Sequence, residues 1–485
     1  MKNLFVAFLI AVAWIVPATG QQQLQVDLSL QDAIQLAQKH GSAVAQAHLQ
    51  QMVSAGAIVS ANGDFDPVVF SDISYNYNES PASGFFTSFG DTVTTSYSAS
   101  QGLRSNLRSG GNLEFRLNEG YNDFNYLGST ESNTSMSLSF TQPLLRGAFS
   151  VAATANEEKS KITNNADVLL VSQSKVDAVQ AVVDAYWNLS FALSDLEVKK
   201  QSLLLAENLR SITIAKFNVG AVAEVEVTQT RADIASRQDG VLVAQNAVDT
   251  SHDILRRLIS AFDTQDDWQV DFNLVSDLPV VSAVDTDWQV LWNIALNSRG
   301  DMKKLQLDID AAQLDLDVAA NGSLPKLDLT ASGTYSAQDQ QISSSLDRLF
   351  DRDFPGYTVG FSFEMPLSNN QAKGAIQQAK NRLLLAKRVL RDRSSELALE
   401  VRRALHDVNY FTERVAVTTH AAKMAQLKLE SEQLRLSEGA STNYQVLQIQ
   451  SDLAVAQSQQ LQAQTEYAKA VIKLDTVQGQ SPKFL

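Results

Sequence analysis

The amino-acid sequence predicts a mixed membrane protein. Long antiparallel α-helical hairpins of coiled-coil type line up as a sheet or cylinder and join a transmembrane β-barrel, with two internal repeats in one chain. Three observations carry this reading. The stretches 148–219 and 375–438 contain neither Gly nor Pro, and as helices they reach roughly 100 Å at 1.5 Å per residue. Between the helical stretches lie segments whose apolar residues strictly alternate. The order helix, strands, Pro, long helix, Gly turn, helix occurs twice.

The N-terminus reads as an export signal over residues 1–20. Lys2 precedes an apolar stretch from Leu4 to Val16, and Ala18, Thr19 and Gly20 supply the small residues of a cleavage site, so the mature chain is expected to begin at Gln21. A membrane anchor is disfavoured because a spanning helix needs about 20 apolar residues. With 485 residues, 44% of them apolar, and only 9 prolines, the chain is long enough for a sizeable core and is not of disordered composition. A formal charge of −15 argues against nucleic-acid binding, which needs clustered Lys and Arg. The absence of cysteine excludes disulfides and lipidation on an N-terminal Cys. No later segment carries 18 uncharged apolar residues, so any membrane contact falls to strands.

The repeat is visible at fixed offsets. Gly41 and the run Ala61-Asn62-Gly63 match Gly300 and Ala320-Asn321-Gly322; "FTQPLLRG" (140–147) matches "FEMPLSNN" (363–370), setting Pro143 against Pro366. Gly220 then matches Gly439, and Asp233 matches Asp452. In the first repeat, Val69, Ile73, Tyr75 and Tyr77 share one strand face against Phe70, Asp72, Ser74 and Asn76, and Met136, Leu138 and Phe140 oppose Ser135, Ser137, Ser139 and Thr141. The second repeat gives Leu327, Leu329, Ala331 and Tyr335 against Lys326, Asp328, Thr330, Ser332 and Thr334, then Val359, Phe361, Phe363 and Met365 against Thr358, Ser362 and Glu364. Alternation alone suits a soluble sandwich as well as a barrel with lipid outside and water inside. The export signal, the aromatic strand ends and the lack of other apolar layers favour the barrel. Two further strand-like runs, 94–103 and 110–121, either widen it or form an outer hairpin.

After each Gly turn the apolar spacing becomes three and four. Val446, Ile449, Leu453, Ala456, Ala463, Tyr467, Ala470, Leu474 and Val477 form a heptad seam with Gln460 as its exception; Val227, Ile234, Val241, Ala244, Val248, Leu255 and Leu258 form its counterpart, broken by Thr230, Arg237 and Ser251. A second stripe through Leu447, Ala454, Leu461 and Ala468 implies a neighbour on the other flank. The glycines at 220 and 439 end one helix and let the chain reverse, because glycine accepts the left-handed conformation that a helix C-terminus often needs.

Strands inserted between helices, the twofold repeat, "FTQPLLRG", "KFNVGAV" and "LRLSEGAST" together resemble the TolC family of outer-membrane efflux and secretion channels over essentially the whole mature chain. The resemblance implies a homotrimer in the outer membrane of a Gram-negative-type cell. Strands of three protomers would close one barrel among outer-membrane lipid, and their helices would form a tunnel across the periplasm. It also implies a periplasmic membrane-fusion adaptor and an inner-membrane pump of RND or ABC type as partners, with no cofactor, no metal and no chemical change in the cargo. By motif, the adaptor-contact tips are Phe217, Asn218, Val219 and Gly220, and Leu436, Ser437, Glu438 and Gly439. Family members often carry paired acids six and nine residues after the second tip glycine; here those positions are Gln445 and Gln448, amides without the charge that holds cations. Glu226, Asp233 and Asp452 are the acidic alternatives for a pore gate.

The expected boundaries are a first helix over 21–64, strands over 65–147, a helical hairpin over 148–262 with its tip near 217–224, and a linker at 263–287. The second repeat follows with a helix over 288–323, strands over 324–366, a hairpin over 367–478 with its tip near 436–443, and a tail at 479–485. An enzyme is disfavoured: the five histidines, His40, His48, His252, His406 and His420, form no H-E-x-x-H motif, and phosphate loops and nucleophile elbows are absent. His40 and His48 fall on roughly one helical face without a third ligand nearby. The basic run 380–393 reads as a solvated surface. The main alternative to a channel is an exported spacer, with helical rods and a soluble β module.

Overall fold

In the computed structural model, residues 25–81, 91–124, 129–149, 151–259, 268, 270–351 and 354–480 are described. The export signal expected over 1–20 lies outside them, as do residues 481–485. Two helices run the length of the rod: α3 (Ala155–Asn218) and α8 (Asn370–Ser437), of 64 and 68 residues, about 95 and 100 Å long. Towards the strands they are flanked by α2 (Ser42–Asn62) and α6 (Gly300–Asn321), in the order α2, α3, α6, α8. Towards the far end the partners are α4 (Glu224–Ile259) and α9 (Asn443–Val477), and the order becomes α8, α9, α3, α4. Four helices therefore lie side by side at each level.

The position of α9 between α8 and α3 explains its two stripes. Val446, Leu453, Ala463, Tyr467 and Leu474 of the heptad seam are buried, and so are Leu447, Ala454 and Ala468 of the second stripe. In α4, the last helix of its layer, Val227, Ile234, Ala244, Val248 and Leu255 are buried. The opposite side of α4 exposes Val225, Leu242 and Val243.

Short helices α1 (Leu30–His40) and α5 (Trp288–Ser298) precede α2 and α6. The break after α1 falls at Gly41, where a Cβ would lie 2.3 Å from the Ala37 carbonyl oxygen. His40 and His48 consequently sit on different helices, and the shared helical face expected for them is not formed. Around the waist, β1 (Gln25–Leu28) pairs in parallel with β6 (Asp271–Leu274). The segment read as a linker thus contains a strand, held by two tyrosines. The Tyr186 hydroxyl donates to the Leu28 carbonyl at 3.1 Å and accepts from the Ser276 N–H at 3.1 Å. Tyr467 donates to the Ser282 carbonyl at 3.1 Å and accepts from the Ser282 N–H at 2.8 Å.

The remaining strands form one antiparallel sheet: β2 (Val68–Ser80), β3 (Thr92–Asn106), β4 (Asn112–Phe124), β5 (Ser129–Pro143), β7 (Lys326–Asp339) and β8 (Pro355–Glu364), in that order. The extra runs 94–103 and 110–121 lie in β3 and, from Asn112 onward, in β4, inside the sheet. The alternation holds, with Val69 79% and Ile73 78% exposed on the apolar face. A short helix within the span expected to be strands, α7 (Ile342–Asp351), packs on β5 and β7; its Ser345 hydroxyl lies 2.8 Å from those of Ser132 and Thr134. Among the described residues no helix is long and apolar enough to cross a membrane.

A charge network, buried at Arg299 and half-buried elsewhere, fastens the start of α6 to α8 and the end of α9. Arg299 and Arg393 both bind Asp301, at 2.7 and 2.9 Å; Arg393 also reaches Glu400 at 2.6 Å, and Arg299 donates to the Val477 carbonyl at 3.3 Å. One residue of the basic run thus serves structure rather than a solvated surface. Burial pushes the Asp301 carboxyl up, but the guanidiniums of Arg299 and Arg393 outweigh it and hold the group below the usual carboxylate range. Its contribution to stability is present above the ordinary Asp pKa and is lost as pH falls through the depressed native value. Asp301→Asn is expected to cost about 1–3 kcal/mol at neutral pH. Thermal unfolding of both proteins across pH should show the difference shrinking in acid; a difference independent of pH would count against this assignment.

Candidate functional site

The two far ends of the rod are built by one local rule. In the first, Gly220 has φ +75° and Gly439 in the second has φ +77°, with open space around both α-carbons, so conformation rather than crowding selects glycine. The N–H of Gly220 donates to Phe217 O at 2.8 Å and that of Ala221 to Lys216 O at 2.9 Å. In the second tip Gly439 N–H donates to Leu436 O at 3.3 Å and Ala440 N–H to Arg435 O at 2.8 Å. Both are Schellman closures, which satisfy carbonyls that a helix end leaves without partners. Phe217, Asn218, Val219, Gly220, Ser437, Glu438 and Gly439 are exposed, and Leu436 is half-buried.

The chain re-enters helix differently in the two tips. At α9 the Thr442 hydroxyl accepts from the Gln445 N–H at 3.3 Å, while the Gln445 side-chain oxygen accepts from the Thr442 N–H at 3.3 Å and from the Ser441 hydroxyl at 3.0 Å. This capping box turns the Gln445 amide back onto its own turn. One turn on, the Gln448 amide donates to Asp452 at 3.1 Å, and Asp452 lies 3.6 Å from Lys428 of α8. Gln445, Gln448 and Asp452 share an exposed helix face.

The first-repeat acids are both held by hydrogen bonds. Glu226, half-buried, accepts from the Asn443 amide at 2.6 Å, linking α4 to the start of α9. Asp233 accepts from Arg237 Nε at 2.6 Å. That arginine, legible in the sequence only as a break in the heptad seam, also donates to the hydroxyl and carbonyl of Ser202 on α3 and to the Leu447 carbonyl of α9, the latter at 3.1 Å. One side chain joins three helices. Asn443, 3% exposed, is the other residue that the sequence did not single out. The signal available for both was a polar side chain at a position where the apolar period demands a buried one.

Among the described residues no group of three or more His, Asp or Glu could hold a metal. The tips offer exposed backbone turns, amides, and carboxylates held by Arg237, Asn443 and Gln448.

The sequence matches the family described as outer membrane efflux protein over residues 33–261 and 291–480. It is 24% identical over 361 residues to the outer membrane protein TolC of Escherichia coli (strain K12), covering 73% of this chain and 70% of that one. To the proteases secretion protein PrtF of Dickeya chrysanthemi it is 22% identical over 189 residues, covering 39% of this chain and 41% of the relative's length. The fold is similar to that of the Campylobacter jejuni CmeC outer membrane channel, with a TM-score of 0.71 at 16% identity, covering 93% of this chain and 85% of the other. With both repeats matched and the fold of an outer-membrane channel carried along nearly its whole length, the chain belongs to the outer membrane efflux protein family, a family of channels and not of enzymes.

Proposed function

We propose that three copies of this chain assemble into one channel, with their sheets closed into a barrel in the outer membrane and their helices into a tunnel across the periplasm. The observation that carries this reading is that the protomer ends in unfinished edges. Its sheet stops at β2 and β8. Val69, Ile73, Tyr357, Phe361 and Phe363 on these strands are more than half exposed. An open sheet with one largely apolar face is stable only when its edges are paired and that face meets lipid. The helical layer is unfinished too, with Leu384, Leu385, Val417 and Leu434 of α8 exposed beside the buried seam.

In this reading the exposed tips, Phe217 to Gly220 and Leu436 to Gly439, are the surface for a periplasmic adaptor that couples the channel to an inner-membrane pump of RND or ABC type. Gln448 and Asp452 face the narrowing tunnel, while Gln445 is committed to the cap of its helix. Arg237 and the Asn443 to Glu226 bond hold the two hairpins together at the closed end. The mass of the detergent-extracted protein, with bound detergent subtracted, tests the assembly. A trimer is expected; a monomer, or protein released from membranes without detergent, would favour an exported spacer.

Two substitutions test the tunnel end. Gln448→Asp would set three further carboxylates beside Asp452, so divalent cations should block single-channel current at concentrations about tenfold lower than for the native protein. Unchanged block would remove Gln448 from the tunnel wall. Arg237→Ala deletes the donors to Ser202 and Leu447, and is expected to raise mean conductance several-fold in trimers of unchanged mass. An unaltered current would assign Arg237 to stability alone.

A further inference from the structure

The two repeats differ in one respect that bears on the bore of the exit. In the second repeat the strands leading to and from the membrane, β7 and β8, pair directly. Their first-repeat counterparts, β2 and β5, are separated by the hairpin β3–β4, which lies between them in the same sheet. Resting on the trimer reading above, we infer that this hairpin is part of the barrel wall, so that three copies of the six-stranded sheet close as 18 strands.

Four features of the sheet support it. Pairing is unbroken, and a single row runs Val69, Leu103, Phe115, Leu138, Gly333, Tyr357 across all six strands. The two-sided pattern of the flanking strands continues through the insertion. Leu103, Leu113 and Phe115 fall on the apolar face with Val69 and Leu138, where Gln101 and Glu119 are polar exceptions, and Ser98, Ser100, Arg116 and Asn118 fall on the polar face with Ser74 and Ser137. Near the end of the sheet remote from the helices, Tyr75, Tyr97 and Tyr121 stand side by side on the apolar face, with ring centroids 5.0 and 6.2 Å apart. Such a row is what an interfacial girdle requires, and it crosses from β2 into β3 and β4.

On the polar face the insertion is fitted to its neighbour. The Phe70 ring lies over Gly102, where a Cβ would come within 2.7 Å of it, and the guanidiniums of Arg104 and Arg116 sit 5.7 and 4.9 Å from its centroid. A hairpin lying against the outside of a barrel would not need this interlock with a wall strand.

The perimeter decides the consequence. Strands about 4.8 Å apart and tilted about 40° each occupy about 6 Å of circumference, so six span about 38 Å and four about 25 Å. The four helices beneath, α2, α3, α6 and α8, span about 36–40 Å at spacings of 9–10 Å. Six strands therefore match the helical ring, and the barrel is about 36 Å across its backbone rather than about 24 Å. Much of its polar face carries small side chains: Ser96, Ser98, Ser100, Gly120, Ser135, Ser137, Ser139, Ser332. The exit is as wide as the tunnel feeding it.

Electron cryo-microscopy of the detergent-extracted protein, with its mass measured in parallel, tests the inference by counting strands. A trimer with 18 wall strands is the expected result. A trimer with 12 and the hairpin outside would overturn the wide exit while leaving the trimer intact; a mass other than three protomers would overturn the trimer and with it the strand number. The cysteine-free chain allows a second test by single thiols in liposomes. Ser100→Cys and Asn118→Cys should react with a water-soluble maleimide about tenfold faster than Leu103→Cys and Phe115→Cys, which should respond to lipid-borne quenchers. Equal or inverted reactivity would overturn the placement.

Discussion

The contact between α3 and α9 joins the two repeats towards the tips, as α3 with α6 and β5 with β7 join them towards the sheet, and the alignment of the tips depends on it. Along this seam Ala206 and Leu209 of α3 join a cluster with Val446, Leu447, Ile449 and Leu453 of α9, closed by Ile234 and Leu429 from the outer helices. Burying each Val, Leu or Ile is worth about 1.5–3 kcal/mol. Small residues set the distance: Ala206 and Ala468 are fully buried where a larger side chain would force the helices apart. Because Leu429 of α8 and Leu209 of α3 both pack into this seam, the tip of each hairpin, about 10–16 Å beyond it, is held at the same level as the other.

Polar groups enter where the seam must be specific as well as stable. Arg237 interrupts the apolar period of α4 at a place where three helices meet, and its guanidinium is satisfied by Asp233, Ser202 and the Leu447 carbonyl. A buried guanidinium without partners would cost several kcal/mol, so only one axial register of the hairpins is tolerated. The waist uses the same logic with tyrosines: Tyr186 and Tyr467 each fix the connecting segment through one hydroxyl that both donates and accepts. Apolar packing provides the energy and the hydrogen bonds provide the alignment.

Much of this was legible in the sequence because its signals are periodic. The 3.5 spacing from Val446 to Val477 announced a seam, the second stripe announced a second neighbour, and Gly220 and Gly439 announced left-handed turns. What escaped has no period. β1 and β6 are four residues each, too short to alternate recognisably. α7 lies between two strands and is one face of Ser345 and Leu349 against the sheet. The capping role of Gln445 was written in Thr442 three residues earlier, but a position six residues after the tip glycine drew attention to the tunnel instead. Arg237 could be seen as an exception and not as a clamp, since its partners come from residues 35 and 210 positions away.

The two layers of the protomer also differ in what they tolerate. A helix in the rod is defined by its flanks, and adding one would displace the pairings at α3 and α9. A strand carries its specification in the pleat, because side chains alternate whatever lies beside it. Two strands can therefore enter the first repeat between β2 and β5 without reversing any face or direction, whereas one strand could not. With an even number per protomer, β8 of one copy runs opposite to β2 of the next, and an all-antiparallel ring can close. The insertion of a hairpin, rather than of a single strand or a helix, is the change that this architecture can absorb.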